Sequence, residues 1–529
     1  MLAQIHSAAL NGLTACAINV EIDSSHGIPS WEIVGLPDTS VKESKERVRT
    51  AMKNQGFDIP PRRIVINLAP ASIKKEGPSF DLAIAIAMLA ATEQVPQEVL
   101  DQYIFIGELG LDGTIRPVKG MLPISMAMKD SGRAMVTSLD NGSEASISGI
   151  TTYAFRSLKE VVTFLYNPDS CPPLPQPDIA QMLAAAPQTN IDFSDIKGQH
   201  EAKRAMEIAA AGGHNIVMIG SPGAGKTMLA RALPSIMPPL SVDECLECSE
   251  IHSIAGLLNS TQPLITERPF RAPHHTSSQA SLIGGGRIPT PGEVSLSHNG
   301  ILFMDEFPEF QKNVLEALRQ PLEDGIVTIS RVNAQFTFPC NFLLVASMNP
   351  CPCGYLNDPK HECTCTDASI TRYHRKISGP LLDRFDIQLE VMPIAFSDLY
   401  DENATEESSA TIRERVMRAR NIQLKRFAGT RIYCNSNMTQ AQLQTYCQLD
   451  SMSKKILERA FDKLGISARA HNRILKLART IADLEGSPNI GSSHIAEAIQ
   501  YRALDKSLWN KKMKGKQTWI HVLKHSHIN

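Results

Sequence analysis

Apolar positions along this chain change their period several times, and each change marks a boundary. Residues 1–167 alternate short apolar runs at 15–22, 63–68 and 104–106 with helix-period stretches such as 81–91. Strands covered by helices, a compact α/β domain, are the expectation. Residues 168–190 carry six prolines and an alanine-rich patch with neither period, the composition of a semi-rigid linker. From 191 to 395 apolar runs return at 215–219, 301–304 and 342–347 between helical segments, which predicts a parallel sheet with both faces covered. From 396 to 504 the strand runs disappear and amphipathic helices remain, a helical lid. The tail 505–529 holds Lys511, Lys512, Lys514, Lys516 and Lys524 and reads as a basic extension.

Composition narrows the class. A chain of 529 residues, 43% hydrophobic, buries more than one core. The longest apolar stretch, 82–91, is too short to cross a bilayer, and the amino-terminal residues lack a charged region followed by an apolar one. No membrane and a cytoplasmic location are therefore expected. Eleven cysteines in a long chain suit a reducing compartment better than a disulfide scaffold. With 53 Lys and Arg against 55 Asp and Glu, the net charge of −2 gives no global attraction for nucleic acid, so any DNA-binding surface must be local.

The chemistry concentrates after residue 215. The run 215–219 leads into Gly220-Ser221-Pro222-Gly223-Ala224-Gly225-Lys226-Thr227, which fits GxxxxGK[ST] in the right context, a strand before and a helix after. Glycines let backbone N–H groups turn around phosphates, Lys226 reaches the β and γ groups of ATP, and Thr227 offers a hydroxyl to Mg²⁺. The run 301–304 ends in Asp305-Glu306, two carboxylates at the carboxyl edge of a sheet. Asp305 is expected to hold the magnesium and Glu306 to polarise the attacking water. Asn349, after the run 342–347, could orient that water. Arg384, in the segment 379–386, has the look of an arginine finger; the plainer alternative pairs it with Asp383 or Asp386 of its own chain. Arg469 and Arg473 share a helix face at i and i+4, where one could sense the γ-phosphate or both could be solvated.

This motif order is that of AAA+ ATPases. The stretches RPFRAPHHT (268–276), GGGRIPTPGEVSLSHNGILFMDE (284–306), SMNPCPCG (347–354) and KISGPLLDRFD (376–386) resemble the ComM/YifB family, relatives of the magnesium chelatase ATPase subunit. The resemblance implies a homo-hexameric ring and a DNA motor or helicase that promotes branch migration of single-stranded and branched DNA during natural transformation and homologous recombination. Carried over by position, it implies that Lys226, Thr227, Asp305, Glu306, Asn349 and Arg384 take the roles above. It makes Arg469 the second sensor, with Arg473 as the alternative. A chelatase-like or MoxR-like remodeller acting on a protein partner is the other reading that the motifs allow.

Three further features bear on the expectation. The 77 residues between Thr227 and Asp305 exceed one helix and one strand, so insertions occupy them. Arg268, Arg271, His274, His275 and Arg287 there, with Arg331 in the hairpin predicted over 327–338, could grip DNA phosphates or serve structural ends. At the amino terminus, Lys75-Glu-Gly-Pro-Ser79 followed by Gly107-Glu-Leu-Gly resembles the Lon protease domain. Ser79 falls at the nucleophile position, but the general-base lysine position reads Leu122 and Lys119 is three residues early. A Lon-like domain without peptidase activity is expected, with Arg62 and Arg63 as candidate DNA contacts by analogy. Finally, Cys351, Cys353, Cys363 and Cys365 put four thiols within fifteen residues; they could close a structural zinc site, with His361 as substitute ligand, or stay as free thiols.

Overall fold

Alternating side chains account for the first sheet. Strand Thr14–Ser25 turns Ile18, Val20 and Ile22 inward and pairs antiparallel with Leu2–Asn11. In this computed structural model, which describes residues 2–184, 191–286, 289–331, 334–356, 358, 360–394, 406–430, 432–464 and 467–502, the pair lies inside a mixed seven-stranded sheet. Its order is Ser30–Val34, Arg63–Ala69, Thr14–Ser25, Leu2–Asn11, Tyr103–Phe105, Ala134–Ser138 and Thr152–Phe155. Helix Asp81–Ala91 covers it and is buried at every position, as its apolar circumference requires. The one charge on that helix, Asp81, is met by Arg47, whose Nε and Nη2 donate at 2.7 and 3.0 Å.

The proline-rich segment is less free than its composition suggests. The Leu174 N–H donates to the Thr152 carbonyl at 2.8 Å, and helix Ile179–Ala184 sets Ile179, Met182 and Leu183 against Leu240, Cys245 and Leu264. The segment thus packs between the two α/β units. Residues 185–190 and the basic tail 505–529 lie outside the described residues.

The second sheet is parallel throughout, in the order Phe270–Arg271, Ile301–Met304, Leu343–Met348, Ile216–Ile219 and Ile387–Glu390. Successive side chains on each strand serve opposite faces. Ile216, Met218, Ile301, Phe303 and Val345 join helix His200–Gly212 and helices Ser409–Arg426 and Ala468–Leu484 in one core. Val217, Ile219, Leu302, Met304 and Leu344 meet Phe307, Val314, Leu318 and Phe338 on the other face. The carboxyl-terminal helices therefore share the hydrophobic core of the sheet. Because all five strands run the same way, the loops after Ile219, Met304 and Met348 leave from one edge. Among the described residues, no helix is long and apolar enough to cross a membrane.

Candidate active site

Strand Ile216–Ile219 is apolar and buried over its whole length, so it fixes the start of the loop that follows. At Gly220 the chain passes so close to its neighbour that a Cβ would stand 2.3 Å from the Val391 carbonyl oxygen, and only glycine fits. Gly223 and Gly225 take φ of 79° and 88°, turning the loop before helix Lys226–Ala232 begins. Lys226 lies across that turn. Its Nζ donates to the carbonyls of Gly220 and Ser221 at 2.7 and 3.0 Å and to Asn349 Oδ1 at 3.2 Å. Burial lowers its pKa from the ordinary value, and the Asp305 charge works against that shift; a cation held this way is poised for an anion.

The carboxylate Asp305 accepts from Thr227 Oγ1 at 3.0 Å and from Ser347 Oγ. Two oxygen ligands on adjacent octahedral positions, each about 2.05 Å from magnesium, stand about 2.9 Å apart. The Thr227 and Asp305 oxygens fit that spacing, and both are the hard donors magnesium prefers. Glu306 has a left-handed backbone, φ 52°, uncommon for a residue with a Cβ. Its carboxylate is 56% exposed and stands 3.2 Å from His275 Nδ1. His275, for which the sequence left a phosphate contact and a structural role equally open, thus faces the residue expected to activate water.

The arginines lie elsewhere. The Arg384 carbonyl accepts from Asn215 Nδ2 at 3.1 Å, which puts it at the amino-terminal edge of the sheet. The four-residue strand Ile216–Ile219, about 13 Å long at 3.3 Å per residue, separates that edge from the phosphate loop. The Arg384 guanidinium donates to the Pro380 carbonyl at 2.6 Å and to Glu323, rather than to Asp383 or Asp386. Among the described residues its Nε has no hydrogen-bond partner. Asp386 instead pairs with Arg473 and, at 3.0 Å, with His214 Nδ1. Burial opposes ionisation of Asp386, yet the Arg473 charge and the His214 hydrogen bond outweigh it and hold the carboxylate below its ordinary range. Arg469, one turn earlier on helix Ala468–Leu484, is exposed, with no ion pair or hydrogen bond from its side chain among the described residues.

Residues 192–399 match the family description "Magnesium chelatase, subunit ChlI", residues 20–141 "Subunit ChlI of Mg-chelatase", and residues 406–502 "Magnesium chelatase, subunit ChlI C-terminal". Over 509 residues the chain is 42% identical to the competence protein ComM of Haemophilus influenzae, covering 96% of this chain and 98% of that one. The chain belongs to the ComM/YifB family. Identity and coverage are the same for YifB of Escherichia coli K12. The magnesium-chelatase 67 kDa subunit of Heliobacterium mobile is 26% identical over 272 residues, 44% of this chain and 38% of that subunit.

Beyond the phosphate loop, this ComM/YifB member brings its four clustered thiols together, with every sulfur within 4.8 Å of the others. His361 is not one of the group: its ring lies on Tyr355 at 4.8 Å and its Nδ1 meets Asp358 at 3.3 Å. Arg268 is occupied by Glu244 at 3.0 Å and by the carbonyls of Pro238 and Asn299. Arg271 forms two bonds with Glu293, at 2.6 and 2.8 Å. Both arginines therefore favour the structural of the two roles that the sequence left open. Arg287 lies outside the described residues, and Arg331 ends strand Ile326–Arg331 at the tip of its hairpin with Ala334–Pro339. In the amino-terminal unit Ser79 is half-buried, and its carbonyl accepts from the Gly107 N–H at 3.0 Å. Leu122 is fully buried against Leu240, Cys245 and Leu264 of the second α/β unit, and the stem of Lys119 lies over Gly256. The position at which the Lon-like resemblance expects a base is therefore a contact between the two units.

Sequence reasoning missed Ser347, Glu323 and the His275 contact. Ser347 left a signal, a hydroxyl on the strand beside the one that ends at Asp305. Glu323 left none, because its nearness to Arg384 comes from the fold.

Proposed function

We propose that this chain is a Mg²⁺-dependent ATPase whose active site is shared between neighbouring copies in a hexameric ring, and that it moves strands of single-stranded and branched DNA. One observation carries the shared site: Lys226, Thr227, Asp305, Glu306 and Asn349 gather at one sheet edge, while Arg384 sits at the opposite edge. An arginine about 13 Å of strand away serves a neighbour's phosphate more readily than its own.

In this reading Lys226 and the loop amides hold the triphosphate. Thr227 and Asp305 hold magnesium, which neutralises phosphate charge when bound. Glu306 takes the proton of the attacking water, and Asn349 orients that water. Arg384 of a neighbour compensates charge on the transferring phosphoryl group, and exposed Arg469 serves as second sensor. The four thiols hold a structural zinc. Leu122 cannot accept a proton, so the Lon-like unit has no peptidase activity. DNA is the substrate class because the match to a competence protein spans nearly the whole chain; branch migration during transformation and recombination is the task this supports. With Arg268 and Arg271 held by carboxylates, Arg287 and Arg331 are the phosphate contacts this reading keeps.

The test is a fluorescent branched DNA incubated with protein, ATP and Mg²⁺. Strand exchange that needs ATP and is lost in Lys226→Ala supports the motor. The magnesium-chelatase relatives favour a second reading, remodelling of a protein partner. An active hexamer that neither binds nor moves branched DNA would select it.

A further inference from the structure

The four thiols sit next to the phosphate loop. Cys351 Sγ is 3.3 Å from Cys353 Sγ and 3.7 Å from Cys363 Sγ, and Cys353 Sγ is 3.6 Å from Cys363 Sγ. A tetrahedral zinc with four sulfurs at about 2.3 Å sets those sulfurs about 3.8 Å apart, so little movement would close the site. The Cys353 N–H donates to Cys365 Sγ at 3.3 Å, the kind of backbone bond that steadies a thiolate ligand.

Both ends of this loop are tied to the nucleotide machinery. It begins just after Asn349, which receives the Lys226 hydrogen bond. It is held at its base by His374 Nε2 on the Pro350 carbonyl at 2.8 Å. Within it, Gly354 packs so tightly on the phosphate loop that a Cβ would lie 2.6 Å from Pro222 Cδ. The Asp358 carboxylate, its side chain 4% exposed, accepts from the Lys360 and His361 N–H groups at 2.9 and 3.0 Å and faces Ser221, whose hydroxyl helps hold it below its ordinary range. The loop between the two cysteine pairs therefore packs on Pro222 of the phosphate loop and faces its neighbour Ser221. No described residue between Cys351 and Cys365 belongs to a strand or helix, so no regular element of the loop fixes that contact, and a four-ligand metal would supply the brace.

We propose that a zinc-class ion bound by Cys351, Cys353, Cys363 and Cys365 braces the phosphate loop, so that metal occupancy controls nucleotide affinity. The inference rests on the nucleotide-binding reading above and adds a control over it. Metal binding converts thiols to thiolates and releases their protons to solvent, with no change in oxidation state. Asp358 is a positioning residue that carries the effect to Ser221 without touching nucleotide or metal.

The experiment counts zinc by atomic emission in the purified full chain and titrates a fluorescent ATP analogue in excess Mg²⁺. Measurements are made before and after a mercurial strips the thiols, and again after thiol rescue and zinc return. The expected result is about one zinc per chain, an affinity about tenfold weaker without it, and recovery on zinc return. The paired substitution Cys363→Ser with Cys365→Ser should match the stripped protein. Because that variant can fail by misfolding, Asp358→Ala is the second arm. It should keep its zinc and still bind the analogue several-fold more weakly. Protein that takes up no zinc, zinc-free protein with unchanged affinity, or an Asp358→Ala variant with unchanged affinity would each overturn the proposal. Zinc-loaded protein that binds no nucleotide at all would refute the nucleotide reading, and this inference with it. Counting zinc separately tells the two failures apart.

Discussion

Arg384 on the far edge of the sheet predicts how mixed rings behave. Arg384→Ala alone removes the finger from every interface and should lower hydrolysis by about 10³-fold or more, the scale for a missing arginine finger. Lys226→Ala alone disables every phosphate loop. In rings assembled at random from equal amounts of both, an interface works only when its loop comes from an Arg384→Ala copy and its finger from a Lys226→Ala copy. Each condition holds half the time, so about one quarter of the interfaces are complete in a head-to-tail ring. Phosphate release should rise from background towards about a quarter of the wild-type rate when sites act independently. Differently tagged variants, captured through one tag and blotted for the other, establish that the rings are mixed. Mixed rings that stay at background would refute the geometry, because they would place the essential arginine beside its own loop.

Other outcomes follow from the same structure. Arg473→Ala strips the buried Asp386 carboxylate of its arginine partner, leaving His214, and should cost about 3 kcal/mol in denaturant unfolding; a change below about 0.5 kcal/mol, the range of ordinary surface substitutions, would remove Arg473 from the buried network. Burial and the nearby Glu247 raise the Glu250 carboxyl to about 7. Its folded pKa lies above its unfolded one, so the stability linked to its proton is complete below the unfolded value and is lost as the pH rises through about 7. Glu250→Gln should therefore gain thermal stability over the parent between pH 5 and pH 8, and a melting-temperature difference that stays flat across that range contradicts the shift. Leu122→Lys restores a Lon-like residue at a fully buried domain contact. It should lower the melting temperature without creating peptidase activity on a fluorogenic substrate, and peptide cleavage abolished by Ser79→Ala would overturn that expectation.

What was legible in the sequence was what local chemistry dictates. The phosphate loop, Asp305 and Asn349 each follow an apolar strand run, and a parallel sheet carries such strand ends to one edge. The four thiols stood out because their spacing is short. Contacts made by tertiary folding were not legible. Arg268 meets Glu244, 24 residues away, and a lone arginine cannot reveal that carboxylate. Helix Ile179–Ala184 has six residues, too few to show a period, so its domain contact was hidden inside a proline-rich stretch. His275 read as one more basic residue in an insertion, and only the fold brings it to Glu306.

The most direct measurement is Mg²⁺-dependent phosphate release by the purified full chain, with and without branched DNA, beside Glu306→Gln. The account predicts turnover by the parent, and a Glu306→Gln protein that binds ATP but hydrolyses it at background rate. Well-folded parent protein that never releases phosphate, or Glu306→Gln protein that turns over normally, would contradict it.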